Sequence, residues 1–114
     1  MEVLGQMKLL VDNKLAVIVI TLEQLKRYRL GPDNIDSFIN YGRSIKGVEI
    51  SARFREVKEN EYKVSLRSKG SIDASEIAHD SGGGGHKNAA SFIFRGSYEE
   101  GLRFIEKIAV RVLS

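Results

Sequence analysis

"GVEISARFREVKENEYKVSLRS", residues 47–68, sets the centre of the fold. Val48, Ile50, Ala52 and Phe54 alternate with Glu49, Ser51, Arg53 and Arg55, and the alternation resumes through Tyr62, Val64 and Leu66. Successive side chains on a strand leave opposite faces of the sheet, so a period of two marks a half-buried strand. The polar "KENE" at 58–61 reads as a turn. Together the two runs predict an antiparallel hairpin.

Working outward, "LAVIVITL" (15–22) is a continuous apolar run rich in β-branched residues, which reads as a strand buried on both faces. Thr21 with Gln24 three residues on is a capping-box pattern and predicts a short helix over about 22–29. Pro32 suits a helix start, where its missing N–H is harmless. Ile35, Phe38 and Ile39 then give a helix ending near Gly42. Met1, Leu4, Met7, Leu10 and Val11 have helical spacing, so residues 1–11 read as the tail of a helix.

Downstream, Asp73 can cap a helix over 74–80 with Ile77 and Ala78 facing inward. "SFIFRG" (91–96) reads as a strand. Ser97 with Glu100 repeats the capping box, and Leu102, Ile105, Ile108, Ala109 and Val112 form an apolar stripe on a last helix. The expected class is α+β: a mixed β-sheet with a central antiparallel hairpin, flanked by short helices and a C-terminal amphipathic helix.

The 114 residues suit one domain. Apolar residues make up 42% and charged residues 29%, a globular balance. The absence of cysteine excludes a disulfide scaffold and a thiolate metal site. Nothing resembles a signal peptide, and Leu15 to Ile20 is too short an apolar run to span a bilayer of ~30 Å, so no membrane association and a cytoplasmic location are expected. The net charge of +3 is spread along the chain. On charge alone that is a solvated surface rather than a nucleic-acid footprint.

"DSGGGGHKNAASF" (80–92) is the unusual stretch. Ordering glycine is entropically expensive, so four in a row need compensation from a special turn or a ligand. Neither a P-loop nor a dinucleotide fingerprint fits the spacing. Bare N–H groups of Gly82, Gly83, Gly84 and Gly85 can form a concave nest for phosphate oxygens, and a helical turn opened by Lys87 to Ala90 would add to that field. His86 at the mouth can donate to phosphate or stack on a base. With only two histidines in the chain, and His79 reading as a surface residue, no metal site is expected.

"SLRSKG" (65–70) places Arg67 opposite Leu66 at a strand end, where with Ser68 it can hold phosphate in bidentate fashion. Arg43 and Ser44 in "YGRSIKG" (41–47) are a weaker version of the same signal. No serine sits on a nucleophile elbow, and Asp33, Asp36, Asp73 and Asp80 are spaced as helix caps, so no catalytic residue is assigned.

These residues also carry a resemblance. "GGGGHKNAASF" closely resembles the GGGGHxxAAGF signature of the C-terminal, DHH-associated domain of DHH phosphoesterases. That group includes RecJ-like exonucleases, nanoRNA-degrading oligoribonucleases and cyclic-di-AMP phosphodiesterases. "INYGRSIKGVEISARFRE" and "YKVSLRSKGSIDASEIA" resemble the corresponding blocks of the oligoribonuclease branch, and the likeness runs from about Leu15 to the last helix.

The resemblance implies a two-domain parent. An N-terminal domain carries an Asp-His-His motif and two metal ions, usually Mn²⁺, while the DHH-associated domain closes over the substrate. Carried over, Gly82–Gly85 and His86 form the loop that grips the nucleotide end, Arg67 clamps phosphate, Asn88 contacts base or sugar, and Ser68 and Arg43 assist. The Asp-His-His motif is absent from this sequence. The chain therefore reads as an excised domain or a natural fragment: 1–13 a remnant of the interdomain helix, 14–114 the substrate-binding domain. It is expected to need the DHH catalytic domain as partner and to be inactive alone. Ser91 stands where the family has glycine; if that position required φ > 0, serine would cost on the order of 1 kcal/mol.

The expected function is nucleotide-phosphate recognition for a phosphoesterase acting on short oligoribonucleotides or dinucleotides, with short RNA or DNA ends as ligands. The alternative is an RNA-binding module, or one forming a homodimer, like the C-terminal domain of alanyl-tRNA synthetase. A third reading is a structural lid without affinity of its own.

Overall fold

The computed structural model describes residues 7–29 and 31–113. In chain order these form β1 (Lys8–Leu10), β2 (Leu15–Ile20), α1 (Leu22–Arg27), α2 (Pro32–Ser44), β3 (Ile50–Lys58), β4 (Glu61–Ser68), α3 (Ala74–Asp80), β5 (Gly84–His86), β6 (Ala89–Arg95) and α4 (Tyr98–Leu113). The class is the expected α+β. One six-stranded sheet runs in the order β1-β2-β3-β4-β6-β5.

The alternating run of residues 47–68 becomes the central hairpin, with Ile50 opposite Ser68 and Phe54 opposite Val64. Lys58 pairs Glu61 across a tight turn in which Asn60 takes φ 57°, a left-handed conformation that asparagine tolerates. β2 joins β3 in parallel, through a crossover that carries α1 and α2. The other pairings are antiparallel.

Strand alternation divides the side chains between two faces. Leu15, Val17, Ile50, Ala52, Phe54, Val64, Leu66, Ala90 and Phe92 turn to one side and form the main core with Ala74, Ile77 and Ala78 of α3 and Ile105 and Ala109 of α4. A Cβ on Gly101 would stand 2.6 Å from Phe54 Cε2, so α4 lies tight on this face. Phe54, Tyr62 and Tyr98 stack edge to face around the same point. Val112, expected at the end of the apolar stripe, is instead exposed.

On the opposite face α2 packs against β2 and β3. A Cβ on Gly42 would meet Ser51 Oγ at 2.6 Å and Ala16 Cβ at 3.4 Å. Ser51 Oγ donates to the Ile39 carbonyl at 3.0 Å, and Ala16, Ile18, Ile20 and Ile39 are fully buried. The inward positions expected for Ile35 and Phe38 fall outside the described side chains. Both capping boxes form: Gln24 N–H donates to Thr21 Oγ1 at 3.1 Å, and Glu100 N–H to Ser97 Oγ at 3.1 Å.

The helical spacing at 1–11 is a correction where it can be judged. Lys8–Leu10 is an edge strand, with Lys8 opposite Val17 and Leu10 opposite Leu15. Pairing satisfies backbone groups that β2 would otherwise leave at an open edge, and this outweighs local periodicity. Leu10 and Val11 pack against the core, and Lys8 Nζ lies 5.9 Å from the Tyr98 ring centre. Val11, Asp12 and Asn13 turn the chain, all in left-handed conformation. The part of that expectation resting on residues 1–6 lies outside the described residues.

Candidate functional site

α2 lies over β2 and β3 and also reaches β4, where Ser65 is buried, so among the described residues this face opens toward β6 and β5. The register of β4, β6 and β5 shows what this part of the face carries. Arg67 stands opposite Ala89, and Ala89 opposite His86. The two sequence-predicted side chains thus share one row of one face, two strands apart, about 10 Å between their backbones at ordinary strand spacing. Between them Ala89 offers only a methyl group. The next row along the strands is Arg53, Ser65, Ser91 and Gly84, and the one after it Arg55, Lys63 and Ile93.

Arg67 is half-buried, and its Nη1 donates to the Leu66 carbonyl at 3.1 Å. That engages one of five guanidinium donors. His86 is exposed. Arg53 is almost fully buried and donates from Nη2 to Ser65 Oγ at 2.6 Å, so it braces the hairpin beneath the row. Glu61 also lies on this side, ion-paired with Arg95 at 3.4 Å and Lys58 at 3.9 Å.

The glycine run differs from the expected nest. Gly82 takes φ +88°, the left-handed position that ends a helix, and its N–H donates to the His79 carbonyl at 3.0 Å. Gly83 N–H reaches the Ala78 carbonyl at 2.7 Å. Two of the N–H groups read as bare are therefore spent closing α3. A Cβ on Gly83 would sit 2.1 Å from the Ser91 carbonyl oxygen, so the chain passes there too tightly for any side chain. Gly85, at φ +147°, would meet Ala90 Cα at 2.5 Å. Gly82 and Gly84 both have open space where a Cβ would stand, and of the two only Gly84 lacks a left-handed φ.

The helical turn expected at Lys87 to Ala90 is also corrected. Lys87 and Asn88 are the turn of a β-hairpin joining β5 to β6. Pairing with β4 draws Ala89 and Ala90 into the sheet, which a helix there would forbid. Ser91, within β6, is not among the positive-φ residues, so replacing the family glycine carries no backbone strain.

α3 holds this hairpin at both ends. Its C-terminus takes the Gly82 and Gly83 bonds, while Ala74 N–H at its start donates to the Lys87 carbonyl at 2.6 Å. Asp73 caps the same helix, accepting from Ser75 N–H at 2.9 Å and Glu76 N–H at 3.3 Å. The Ser75 hydroxyl bond, foremost, holds the Asp73 carboxyl below its ordinary value.

Ser68 and Asn88 come together in a hydrogen-bonded lock. Ser68 is 2% exposed; its hydroxyl lies 2.7 Å from the Ile72 carbonyl and 3.2 Å from the Lys87 carbonyl, and accepts from Asn88 Nδ2 at 3.1 Å. Ser68 N–H donates to the Asn88 carbonyl at 3.1 Å. These bonds fix the hairpin tip next to His86. Arg43 sits in the last turn of α2, one residue beyond the Gly42 contact with Ser51, and Ser51 pairs with Arg67. It borders the open half without joining the row. Ser44 Oγ donates back to the Tyr41 carbonyl at 2.6 Å. Lys63 and Arg53 were not singled out in the sequence, although they share the parity of Arg67 once the hairpin register is set.

Among the described residues no group of three His, Asp or Glu converges as metal ligands do. No helix of the described residues is long and apolar enough to cross a membrane.

A family model described as the DHHA1 domain matches residues 12–111. The bifunctional oligoribonuclease and PAP phosphatase NrnA of Thermus thermophilus is 33% identical over 84 residues, which is 69% of this chain and 26% of that protein. The crystal structure of an exopolyphosphatase-related protein from Bacteroides fragilis is 34% identical with a TM-score of 0.82, covering 93% of this chain and 31% of that one. The chain thus spans about a quarter to a third of the length of these two relatives. The C-Ala domain of Aquifex aeolicus alanyl-tRNA synthetase shares the fold, at 13% identity and a TM-score of 0.60 over 84% of this chain and 90% of that domain. With the match running from the β1–β2 turn to the last turns of α4, the chain belongs to the DHHA1 family, the domain associated with DHH phosphoesterases.

Proposed function

We propose that the uncovered half of the sheet face binds the phosphate end of a short oligoribonucleotide or linear dinucleotide, for hydrolysis by a DHH catalytic domain outside this chain. The observation that carries the reading is the single row that joins half-buried Arg67 and exposed His86 on one sheet face. A guanidinium presents paired donors to phosphate oxygens, and an imidazole two strands away can donate to the same group or stack on the attached base. α3 holds the histidine hairpin at both ends, so little ordering remains to be done on binding. The reading assigns the Mn²⁺ chemistry and the hydrolytic step to the DHH catalytic domain outside this chain.

The test is a ¹H–¹⁵N titration of the 114-residue chain with a dinucleotide at low salt. Shifts are expected at Gly84, Gly85, His86 and Arg67, with affinity falling as salt rises and lost in Arg67→Ala and His86→Ala. Equal binding by both variants would overturn the reading. A preference for folded tRNA over a pentanucleotide would move it to the alanyl-tRNA synthetase-like alternative.

A further inference from the structure

The Arg67–His86 row leaves one cavity on the open half unused. It measures about 500 Å³ and lies between residues 81–84, Ser91 and Ile93 of β6 and Lys63 of β4. That volume falls in the range of small-molecule sites. The cavity lies where β5 begins: beyond the Gly84–Ser91 pair no strand pairs with the outer edge of β6, and Gly83 crosses it at Ser91 and Phe92.

Its chemistry is specific. Lys63 is half-buried and makes no hydrogen bond or ion pair among the described residues. The Ser91 hydroxyl is equally uncommitted. Ile93 is 40% exposed and supplies an apolar wall, while Gly84 leaves the floor bare. The nearby carboxylate, Glu61, is neutralised by Arg95 and Lys58, so it does not repel an anion at Lys63. Lys63 is four residues from Arg67 on the same strand and face, about 14 Å along β4. A mononucleotide whose one phosphate is held at Arg67 has no anionic group left for Lys63. A second nucleotide brings one.

We propose that this cavity is the subsite for the second nucleotide of the ligand, with Lys63 on its phosphodiester, Ile93 against its base and Ser91 Oγ as a hydrogen-bond partner. The inference rests on the phosphate reading of Arg67 and His86 and adds to it the place and partners of the second nucleotide. Ser91 gains a role here that a glycine could not fill.

The experiment is calorimetric titration of the full chain with AMP and with the 5′-phosphorylated dinucleotide pApA at low salt. The dinucleotide is expected to bind about tenfold more tightly, the scale of one added charge-assisted contact. Lys63→Ala should abolish that advantage and leave AMP affinity unchanged, and Lys63→Gln, which keeps the stem, should do the same. Ser91→Gly should reduce the advantage severalfold. If pApA binds no better than AMP while Arg67→Ala weakens both, the subsite is wrong and the phosphate reading stands. If Lys63→Ala weakens AMP and pApA equally, the subsite is again overturned. Binding of neither compound overturns both readings.

Discussion

The two halves of one sheet face are built to opposite ends. Over β2 and β3 the rows run through Ala16, Ile18 and Ile20, and α2 seals them. Over β4, β6 and β5 the same rows continue through Arg67, Ser91, Lys63 and His86; α2 still reaches β4, and the face opens toward β6 and β5. The change comes at one joint. Arg53, on the covered strand, is buried and reaches across to Ser65 on the open one. On the proposed reading, stability and recognition occupy one continuous surface, separated by a strand's width.

The sharpest way to break this comparison is to mutate one side and measure both properties. Ile18→Ala should cost about 3 kcal/mol in urea denaturation, since Ile18 is fully buried, yet leave nucleotide affinity of the folded protein intact. Arg67→Ala should show the reverse: stability within about 0.5 kcal/mol of the parent, as for partly exposed sites, and binding reduced tenfold or more. Comparable binding losses in both variants would dissolve the division.

A second pair sharpens it within the glycine run. Gly83→Ala should destabilise by about 2 kcal/mol, because its Cβ meets the Ser91 carbonyl oxygen and the backbone has to give. Gly84→Ala has open space around it and should leave the melting temperature unchanged while weakening ligand binding. Equal destabilisation by both would mean that Gly84 also serves packing.

A smaller effect is expected from acid, through the caps that hold α3 and α4 in place. Asp73 and Glu100 both have carboxyls held below their ordinary values, Asp73 mainly by the Ser75 hydroxyl and Glu100 mainly by the Ser97 backbone N–H. A lowered folded value means the stabilisation is complete above the unfolded value of about 4 and is lost as pH falls through the folded one. Chemical denaturation between pH 5 and pH 2 should show a fall that flattens in the Asp73→Asn, Glu100→Gln double variant.

Smallest of all should be Tyr98→Phe, on the core face. Among the described residues its buried hydroxyl has no hydrogen-bond partner. Removing it should be neutral or stabilise by up to about 1 kcal/mol, and a clear loss in thermal unfolding would reveal a bond at that oxygen.

Elements whose signals are local were legible in the sequence. The hairpin at 50–68, the Thr21 and Ser97 capping boxes and the Asp73 cap all appear where their patterns put them. Arg67 and His86 were legible as residues, but not as neighbours, because only the β4–β6–β5 register sets them in one row. Lys63 was passed over for the same reason. Two misreadings share one cause. Residues 8–10 carry helical spacing and Lys87 to Ala90 could open a turn, but distant strands claim their backbone. The glycines differ: the carbonyls of His79 and Ala78 that take the Gly82 and Gly83 N–H groups are local, and glycine just past a helix end is itself a C-cap signal.

The parallel joint between β2 and β3 has a kinetic consequence. β3, β4, β6 and β5 are linked through short turns or α3 alone, whereas β2 reaches β3 only after the chain between Ile20 and Ile50 has been looped and its helices ordered. Closing that longer loop is entropically unfavourable until β2 has its contacts. The half that carries Arg67 and His86 is thus the half that can assemble early, and β2 with its sealing helix docks onto it afterwards. Substitutions in β2 should then act mainly by speeding unfolding, and those in the central hairpin by slowing folding.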